Sequence, residues 1–172
     1  PPLPNSLKSL NASYCDLLTS LPPLPNSLTS LDVYRSKLTS LPELPNSLTS
    51  LDVGSTRLIS LPALPNSLTN LRASYIGLTS LPQLPNSLTS LDVSSTHLTS
   101  LPRLPNSLTF LNVSVTTLTS LPFLPEGLVI HYSPQSYEAL HPTLAELFVG
   151  VDPFNSSAQQ TLIHRIRAWQ QQ

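Results

Sequence analysis

Apolar residues in this chain fall on a lattice. Leu28, Leu48, Leu68, Leu88, Leu108 and Leu128 recur every 20 residues, and most of what lies between them recurs too. Leu-Pro-x-Leu-Pro-Asn-Ser-Leu opens the units at Leu21, Leu41, Leu61, Leu81 and Leu101. The same unit enters truncated at Leu3 and decays at Leu121 to Leu128. Just after it the period changes to two. In Ser30-Leu31-Asp32-Val33-Tyr34, Leu31 and Val33 share one face, and Ser30, Asp32 and Tyr34 share the other. Side chains of a strand alternate in this way, so the pattern predicts a short half-buried strand. Strands are expected near 8–12, 29–33, 49–53, 69–73, 89–93 and 109–113, with a degenerate seventh near 129–132.

A fixed short period with Leu-x-x-Leu-x-Leu spacing is the signature of leucine-rich repeats. The strands then stack in parallel, about 4.8 Å apart. Leu38, Leu41 and Leu44 fill the core from the far side. Pro42 and Pro45 lock φ and exclude a helix interior, so the return leg is extended. The fold class is an α/β repeat, mainly β: a leucine-rich repeat solenoid with a parallel concave sheet, an extended convex side and a C-terminal helical cap. Asn26, Asn46, Asn66, Asn86 and Asn106 precede the strands and are expected to bond turn backbone. After the strands stand Cys15, Ser36, Thr56, Ile76, Thr96 and Thr116, whose hydroxyls, where present, can bond neighbouring backbone. The first repeat carries one extra residue, and its insertion near Leu17-Leu18 should bulge the turn, not the strand.

A repeat protein separates scaffold, which repeats, from content, which differs. The middle outward position reads Asn11, Asp32, Asp52, Arg72, Asp92, Asn112, and the one before it Ser9, Ser30, Ser50, Asn70, Ser90, Phe110. The segments after the strand differ most, and bring in Tyr14, Tyr34, Arg35 and Tyr75. Tyr and Arg are enriched where binding energy concentrates. Tyr34, Arg35, Arg72 and Tyr75, with Asp32, Asp52, Asp92 and Phe110, are therefore the candidate contacts to a protein partner on the concave face. The plainer reading makes them surface residues of a polar sheet. Carboxylates on adjacent strands repel; Arg72 between Asp52 and Asp92 offsets part of that, and a basic partner group would offset more.

Composition narrows the alternatives. A net charge of −1 gives no bulk attraction to nucleic acid or an anionic membrane. No apolar run approaches the roughly 18 residues of a membrane span, and no signal-peptide pattern opens the chain. A chain that starts at Pro1 and lacks Met reads as an excised piece. The single Cys15 excludes an internal disulfide and is expected to be a small core residue. His97, His131, His141 and His164 show no metal-ligand spacing beyond a distant pairing of His131 with His141. Neither a nucleophile elbow nor a Gly-rich phosphate loop is present. No catalytic residue, cofactor or metal is expected, and this chain by itself is expected to be no enzyme.

After Leu128 the period breaks. Tyr137, Leu140, Leu144, Leu147 and Phe148 predict an amphipathic helix near 135–148. Leu162, Ile163, Ile166 and Trp169 predict another near 157–170, with Ser156 and Gln159 or Ser157 and Gln160 as a capping box. Both helices can cover the apolar end of the solenoid. The expected organisation is a solenoid over 1–133 and a helical cap or linker over 134–172.

The double Leu-Pro step and the 20-residue length resemble the repeats of type III secreted bacterial effectors, the YopM and IpaH/SspH/SlrP group. Ser136 to Leu140, and Phe154-Asn155-Ser156-Ser157 to Ala168-Trp169, are similar to the segment that joins such repeats to a ubiquitin-ligase domain. The resemblance implies a domain that recognises a host protein as substrate of ubiquitination, or restrains its own catalytic domain, after secretion into the host cytoplasm. The family's nucleophile lies in a Cys-x-Asp motif. Here Cys15 precedes Asp16 directly and no ligase domain follows Trp169, so no catalytic role carries over. The family's N-terminal helical hairpin is absent as well. A stand-alone YopM-like adaptor and a consensus-like engineered scaffold are the alternatives.

Overall fold

A computed structural model of the chain describes residues 2–133, 145–152 and 155–172. Seven strands form one parallel sheet in sequence order: β1 (Ser9–Asn11), β2 (Ser30–Asp32), β3 (Ser50–Asp52), β4 (Asn70–Arg72), β5 (Ser90–Asp92), β6 (Phe110–Asn112) and β7 (Val129–His131). Each has the apolar residue in the middle and polar neighbours on the opposite face in most cases. The register is strict, with Leu31 opposite Leu51, Leu71, Leu91 and Leu111 in turn. Every strand is one to two residues shorter than its period-two pattern because the chain bends straight after it.

The core is a set of stacked columns. Leu28, Leu31, Val33, Leu38 and their equivalents in the later repeats are almost wholly buried, and Leu44 closes the far side. Leu41, Leu61, Leu81 and Leu121 are only half-buried, so that column is a rim of the core and not its centre. The legs between strands carry turns but no helix in repeats two to six, as the paired prolines require.

Hydroxyls tie neighbouring turns together. Leu28 N–H donates to the Pro25 carbonyl, closing the turn Pro25-Asn26-Ser27-Leu28. Ser27 Oγ then donates to the Leu7 carbonyl at 2.7 Å, and Ser47, Ser67, Ser87 and Ser107 repeat the bond one unit back. The bonding expected of the asparagines is made by the serines beside them; Asn26 and its equivalents stand exposed at the turn corner. Thr29, Thr49, Thr69, Thr89 and Thr109 add a second ladder to preceding carbonyls. After the strand, Thr56, Thr96 and Thr116 donate to the carbonyls of Val53, Val93 and Val113 at 2.7–2.8 Å, as expected. Ser36 does not: its buried hydroxyl has no partner among the described residues.

The extra residue of repeat one sits where the turn is. Lys37 N–H bonds the Leu18 carbonyl as Arg57 N–H bonds that of Leu38, so the ladder resumes at Leu18. Leu17 is 91% exposed, extruded from it. Cys15, expected in the core, is exposed. It stands in the first repeat, next to that bulge, where Leu7, Leu10 and Ala12 are themselves only partly buried.

The other end is sealed. Helix α1 (Ser156–Gln170) packs on β7 with Leu162, Ile163 and Ile166 buried. Its N-cap is Asn155, whose side chain accepts from Ala158 N–H at 3.0 Å. Neither expected capping box forms, because the helix starts one residue early and Ser156 lies inside it. Gln160 Nε2 donates to the Leu128 carbonyl, and Gln170 Nε2 to those of Leu121 and Pro122, so side chains of the helix satisfy backbone of the last repeat. The expected helix near 135–148 falls largely outside the described residues; its final part, Glu146–Phe148, is a 3₁₀ turn whose Phe148 stacks edge-on against Tyr132, with ring centres 4.8 Å apart.

Candidate functional site on the concave face

The outward residues of the strands divide into three columns with different duties. The first, Ser9, Ser30, Ser50, Asn70 and Ser90, is small and uncharged until Phe110. It leaves a shallow depression of about 410 Å³ over β3–β5, bounded by Asp52, Arg72 and Asp92 on one side and Phe110 at one end. Phe110 stacks on His131 of β7, ring centres 5.0 Å apart.

The second column holds the carboxylates, and they bond the backbone of the bend. Asp32 Oδ1 accepts from Tyr34 N–H at 2.9 Å, Asp52 Oδ1 from Gly54 N–H at 2.9 Å, and Asp92 Oδ1 from Ser94 N–H at 3.0 Å. Asn11 and Asn112 do the same for Ser13 and Ser114. Five of the seven strands thus end in an Asx turn. The recurrence of Asp or Asn two residues before the bend was the signal for it. Arg72 breaks the column and points its Nε at Asp52 Oδ2 (4.0 Å) and Asp92 Oδ2 (3.9 Å). Burial pushes the Asp52 carboxyl above its ordinary pKa; the Gly54 N–H and Arg72 pull against this, while Asp32 and Asp92 add to it.

The position after the second apolar strand residue, expected to face outward, is buried in three of six repeats. Gly54, Ser74 and Ser94 are buried there, because the chain bends and the next residue takes the surface. Ser13 and Ser114 stay half-buried there, and so does Tyr34. Its ring lies across β3, and a Cβ on Gly54 would stand 3.0 Å from Tyr34 Cδ2. A side chain at position 54 would crowd that ring.

The following residue is left-handed in six repeats: Tyr14, Arg35, Ser55, Tyr75, Ser95 and Val115 have φ of 54–58°. In that conformation Tyr14, Arg35, Ser55, Tyr75 and Ser95 donate their N–H to a carbonyl of the next repeat. Their side chains form the rim. Glycine or asparagine suits such backbone best, and neither stands at these positions, so residue type alone does not announce the conformation.

The candidate contacts therefore separate. Tyr14 and Tyr34 meet edge-on at 5.5 Å, Arg35 lies over Tyr14 at 5.7 Å and Arg72 over Tyr34 at 6.0 Å. Arg35, Tyr14, Tyr34, Arg72 and the flanking Asp52 and Asp92 make one continuous strip. Tyr75 stands apart on the rim, 65% exposed. Asp32 lies beneath Tyr34, and Phe110 at the far end of the depression. Other grooves, of about 650, 430 and 270 Å³, run between Leu-Pro legs and repeat as the scaffold does.

Among the described residues no three His, Cys, Asp or Glu side chains are grouped to hold a metal, and no helix is long and apolar enough to cross a membrane. His141, the residue expected to pair with His131, lies outside the described residues.

Comparison with known proteins agrees with this architecture. The Leucine Rich Repeat family model matches residues 6–28. A Shigella effector leucine-rich repeat domain superposes with a TM-score of 0.68 at 38% identity, covering 74% of this chain and 58% of that one. YopM from Yersinia enterocolitica gives 0.64 at 36% identity over 77% of this chain and 34% of its own. YopM from Yersinia pestis gives 0.63 at 36% over 71% and 41%. No curated protein sequence matches significantly. The chain spans 34–58% of the length of these three structures. It is a leucine-rich repeat solenoid, similar in period, sequence and shape to the repeat domains of bacterial effectors.

Proposed function

We propose that this chain is the substrate-recognition domain of a secreted bacterial effector ubiquitin ligase, and that it holds a host protein on its concave face. One observation carries the binding site. The buried columns repeat the same residue while the concave strip varies between repeats, and the strip concentrates Tyr and Arg. Such side chains supply rigid area with polar tips and a guanidinium fork. The likeness to a Shigella effector repeat domain supports the effector context. The likeness to YopM supports a second reading, an adaptor without enzyme activity, delivered to the same compartment.

The test is capture of a partner from host lysate with residues 1–172, followed by affinity measurement on single alanine variants. Tyr34→Ala and Arg72→Ala should each weaken binding at least about tenfold, as hot-spot truncations do. Arg35→Ala and Tyr75→Ala, on the rim, should weaken it less. If all four bind like the parent while Glu43→Ala on the convex leg weakens binding, the concave face is not the site. Ubiquitin transfer to the captured protein by the whole parent protein separates the ligase from the adaptor.

A further inference from the structure

In six repeats the residue straight after the second apolar strand position reads Ser13, Tyr34, Gly54, Ser74, Ser94 and Ser114. Two depart from serine, and they are neighbours: Tyr34 is the large one, and Gly54, one repeat on, has no side chain. The scaffold does not ask for that glycine. Positive φ, the condition that favours glycine, is found at Gly127 and Gly150 and not at Gly54. Nor does the surrounding backbone exclude a side chain. A Cβ on Gly54 would stand 3.2 Å from Asp52 Oδ1 and from the Ser74 carbonyl. Ser94 sits in the same frame. Its N–H donates to Asp92 Oδ1 and Ser95 N–H to the Ser114 carbonyl, as Gly54 N–H donates to Asp52 Oδ1 and Ser55 N–H to the Ser74 carbonyl. Serine fits there, and its Oγ gains a bond of 2.7 Å to Asp92 Oδ1; Ser13 gains the same from Asn11. Serine at position 54 would therefore add a hydrogen bond and would lose less freedom on folding than glycine does.

What the scaffold forgoes, the outer face uses. The contact peculiar to position 54 is with Tyr34: a Cβ would stand 3.0 Å from Cδ2 of the ring, closer than carbon atoms pack. Without that Cβ the ring reaches from the end of β2 past β3 to Arg72 on β4, whose guanidinium carbon lies 6.0 Å from the ring centre. On its other side the ring meets Tyr14 edge-on at 5.5 Å, and Tyr14 lies under Arg35 at 5.7 Å. Guanidinium and ring attract at such distances. One missing side chain thus closes a run of contacts from the first repeat to the fourth. A side chain already held in one pose has less freedom to lose when a partner binds it.

We infer that Gly54 is a positioning residue for partner binding: it lets the Tyr34 ring lie across β3 against Arg72, and so sets the pose in which Tyr34 meets a protein partner. This rests on the concave-face reading above and adds to it how that face is preset. Gly54 acts through Tyr34, so its replacement has an effect on binding only while that ring is present.

Gly54→Ser installs the residue of the neighbouring repeats. It should melt no lower than the parent, because the turn accepts serine. In NMR spectra of the isotope-labelled parent, the Tyr34 ring protons should show Overhauser contacts to Gly54 Hα and to the Arg72 side chain; in Gly54→Ser the contacts to Arg72 should be lost. Binding is read with four immobilised chains: the parent, Gly54→Ser, Tyr34→Ala and the double variant. Each is exposed to the same host-cell lysate, and the protein that the parent recovers is the probe. Its affinity should fall about fivefold or more in Gly54→Ser and in Tyr34→Ala. The double variant should bind like Tyr34→Ala alone, a coupling that a merely structural role for Gly54 would not produce. The inference is overturned if Gly54→Ser melts well below the parent, or if its Tyr34 ring keeps the contacts to Arg72. It is equally overturned if the ring moves and affinity does not, or if Gly54→Ser weakens Tyr34→Ala by the same factor as it weakens the parent. With Arg72→Ala still weakening binding, these outcomes leave the proposed function standing. If Tyr34→Ala and Arg72→Ala both bind like the parent, the concave face is not the site, and the function falls with the inference.

Discussion

The inner and outer faces of one strand obey opposite rules. On β4, Leu71 faces inward with 2% of its surface exposed and sits in a column of identical residues. Its neighbour Arg72 faces outward in a column that changes from Asn to Asp to Arg and back. The inner column works because every repeat meets the same surroundings, so one side chain solves the packing problem each time. The outer column is free of that demand, and its residues can vary. The contrast also has a boundary. Between the faces lie the turn residues, which repeat their backbone while differing in side chain, and there the two rules compete.

The largest test of the contrast is Leu71→Ala. Removing a buried leucine from a close-packed column typically costs about 2–5 kcal/mol. Ser50→Ala, on the outer face of the adjacent strand, should cost under about 0.5 kcal/mol. Urea unfolding followed by circular dichroism measures both. Equal shifts of the two midpoints would show that the faces do not differ in the way the columns suggest.

A smaller test compares two repeats at one buried position. Thr56 Oγ1 donates to the Val53 carbonyl at 2.8 Å, whereas the Ser36 hydroxyl has no partner. A satisfied buried hydrogen bond is worth about 1 kcal/mol, while an unsatisfied buried polar group costs. Thr56→Ala should therefore lower stability by about 1 kcal/mol, and Ser36→Ala should be neutral or slightly stabilising. Parallel losses in the two variants would mean that Ser36 is bonded after all.

How much of this was legible follows the same division. The period of 20 residues gave the sheet order, the buried leucines and the helix-free legs, because packing is translated into sequence by repetition. The strip of Arg35, Tyr14, Tyr34 and Arg72 was legible as residues but not as an arrangement. Nothing in the sequence says that Tyr34 crosses β3, since that depends on a missing side chain at Gly54. The buried state of Gly54, Ser74 and Ser94 was misread because period-two alternation was carried one residue past the bend. The asparagines of the turns drew attention that belonged to the serines, since both residue types bond turn backbone and only geometry chooses between them. Cys15 was misplaced because the column argument assumes a neighbour on both sides, and the first repeat has one.

The left-handed column offers a third test, in the direction of gained stability. Val115 is β-branched and has φ of 56°, with 54% of its surface exposed. A left-handed conformation costs an ordinary L-residue about 1–2 kcal/mol, and asparagine tolerates it better. Val115→Asn loses little burial, so it should raise stability by about 0.5–1 kcal/mol. Ser95→Asn, which is not β-branched, should gain less. If Val115→Asn unfolds earlier than the parent, the valine side chain contributes contacts that outweigh its backbone cost.

The smallest effect is the most informative about the outer face, because it sets burial against a charge contact at one residue. The Asp52 carboxyl is held above its ordinary value of 3.8, first by burial and further by Asp32 and Asp92. A carboxyl with a raised folded-state pKa binds its proton more tightly in the folded chain than in the unfolded one. Stability linked to this group is therefore greatest below pH 3.8 and falls as pH rises through the interval above it. At neutral pH the ionised Asp52 opposes folding. Asp52→Asn removes that charge and keeps the Oδ1 acceptor for Gly54, as Asn112 keeps it for Ser114. The variant should be modestly more stable than the parent at pH 7, and the gain should fade as the pH drops below 3.8, measured by thermal melts across that range. A residue that makes the protein less stable is what the contrast between the two faces leads one to expect on the outer side. If Asp52→Asn is less stable at pH 7 and its deficit shrinks in acid, the Arg72 contact outweighs burial and the carboxylate belongs to the scaffold.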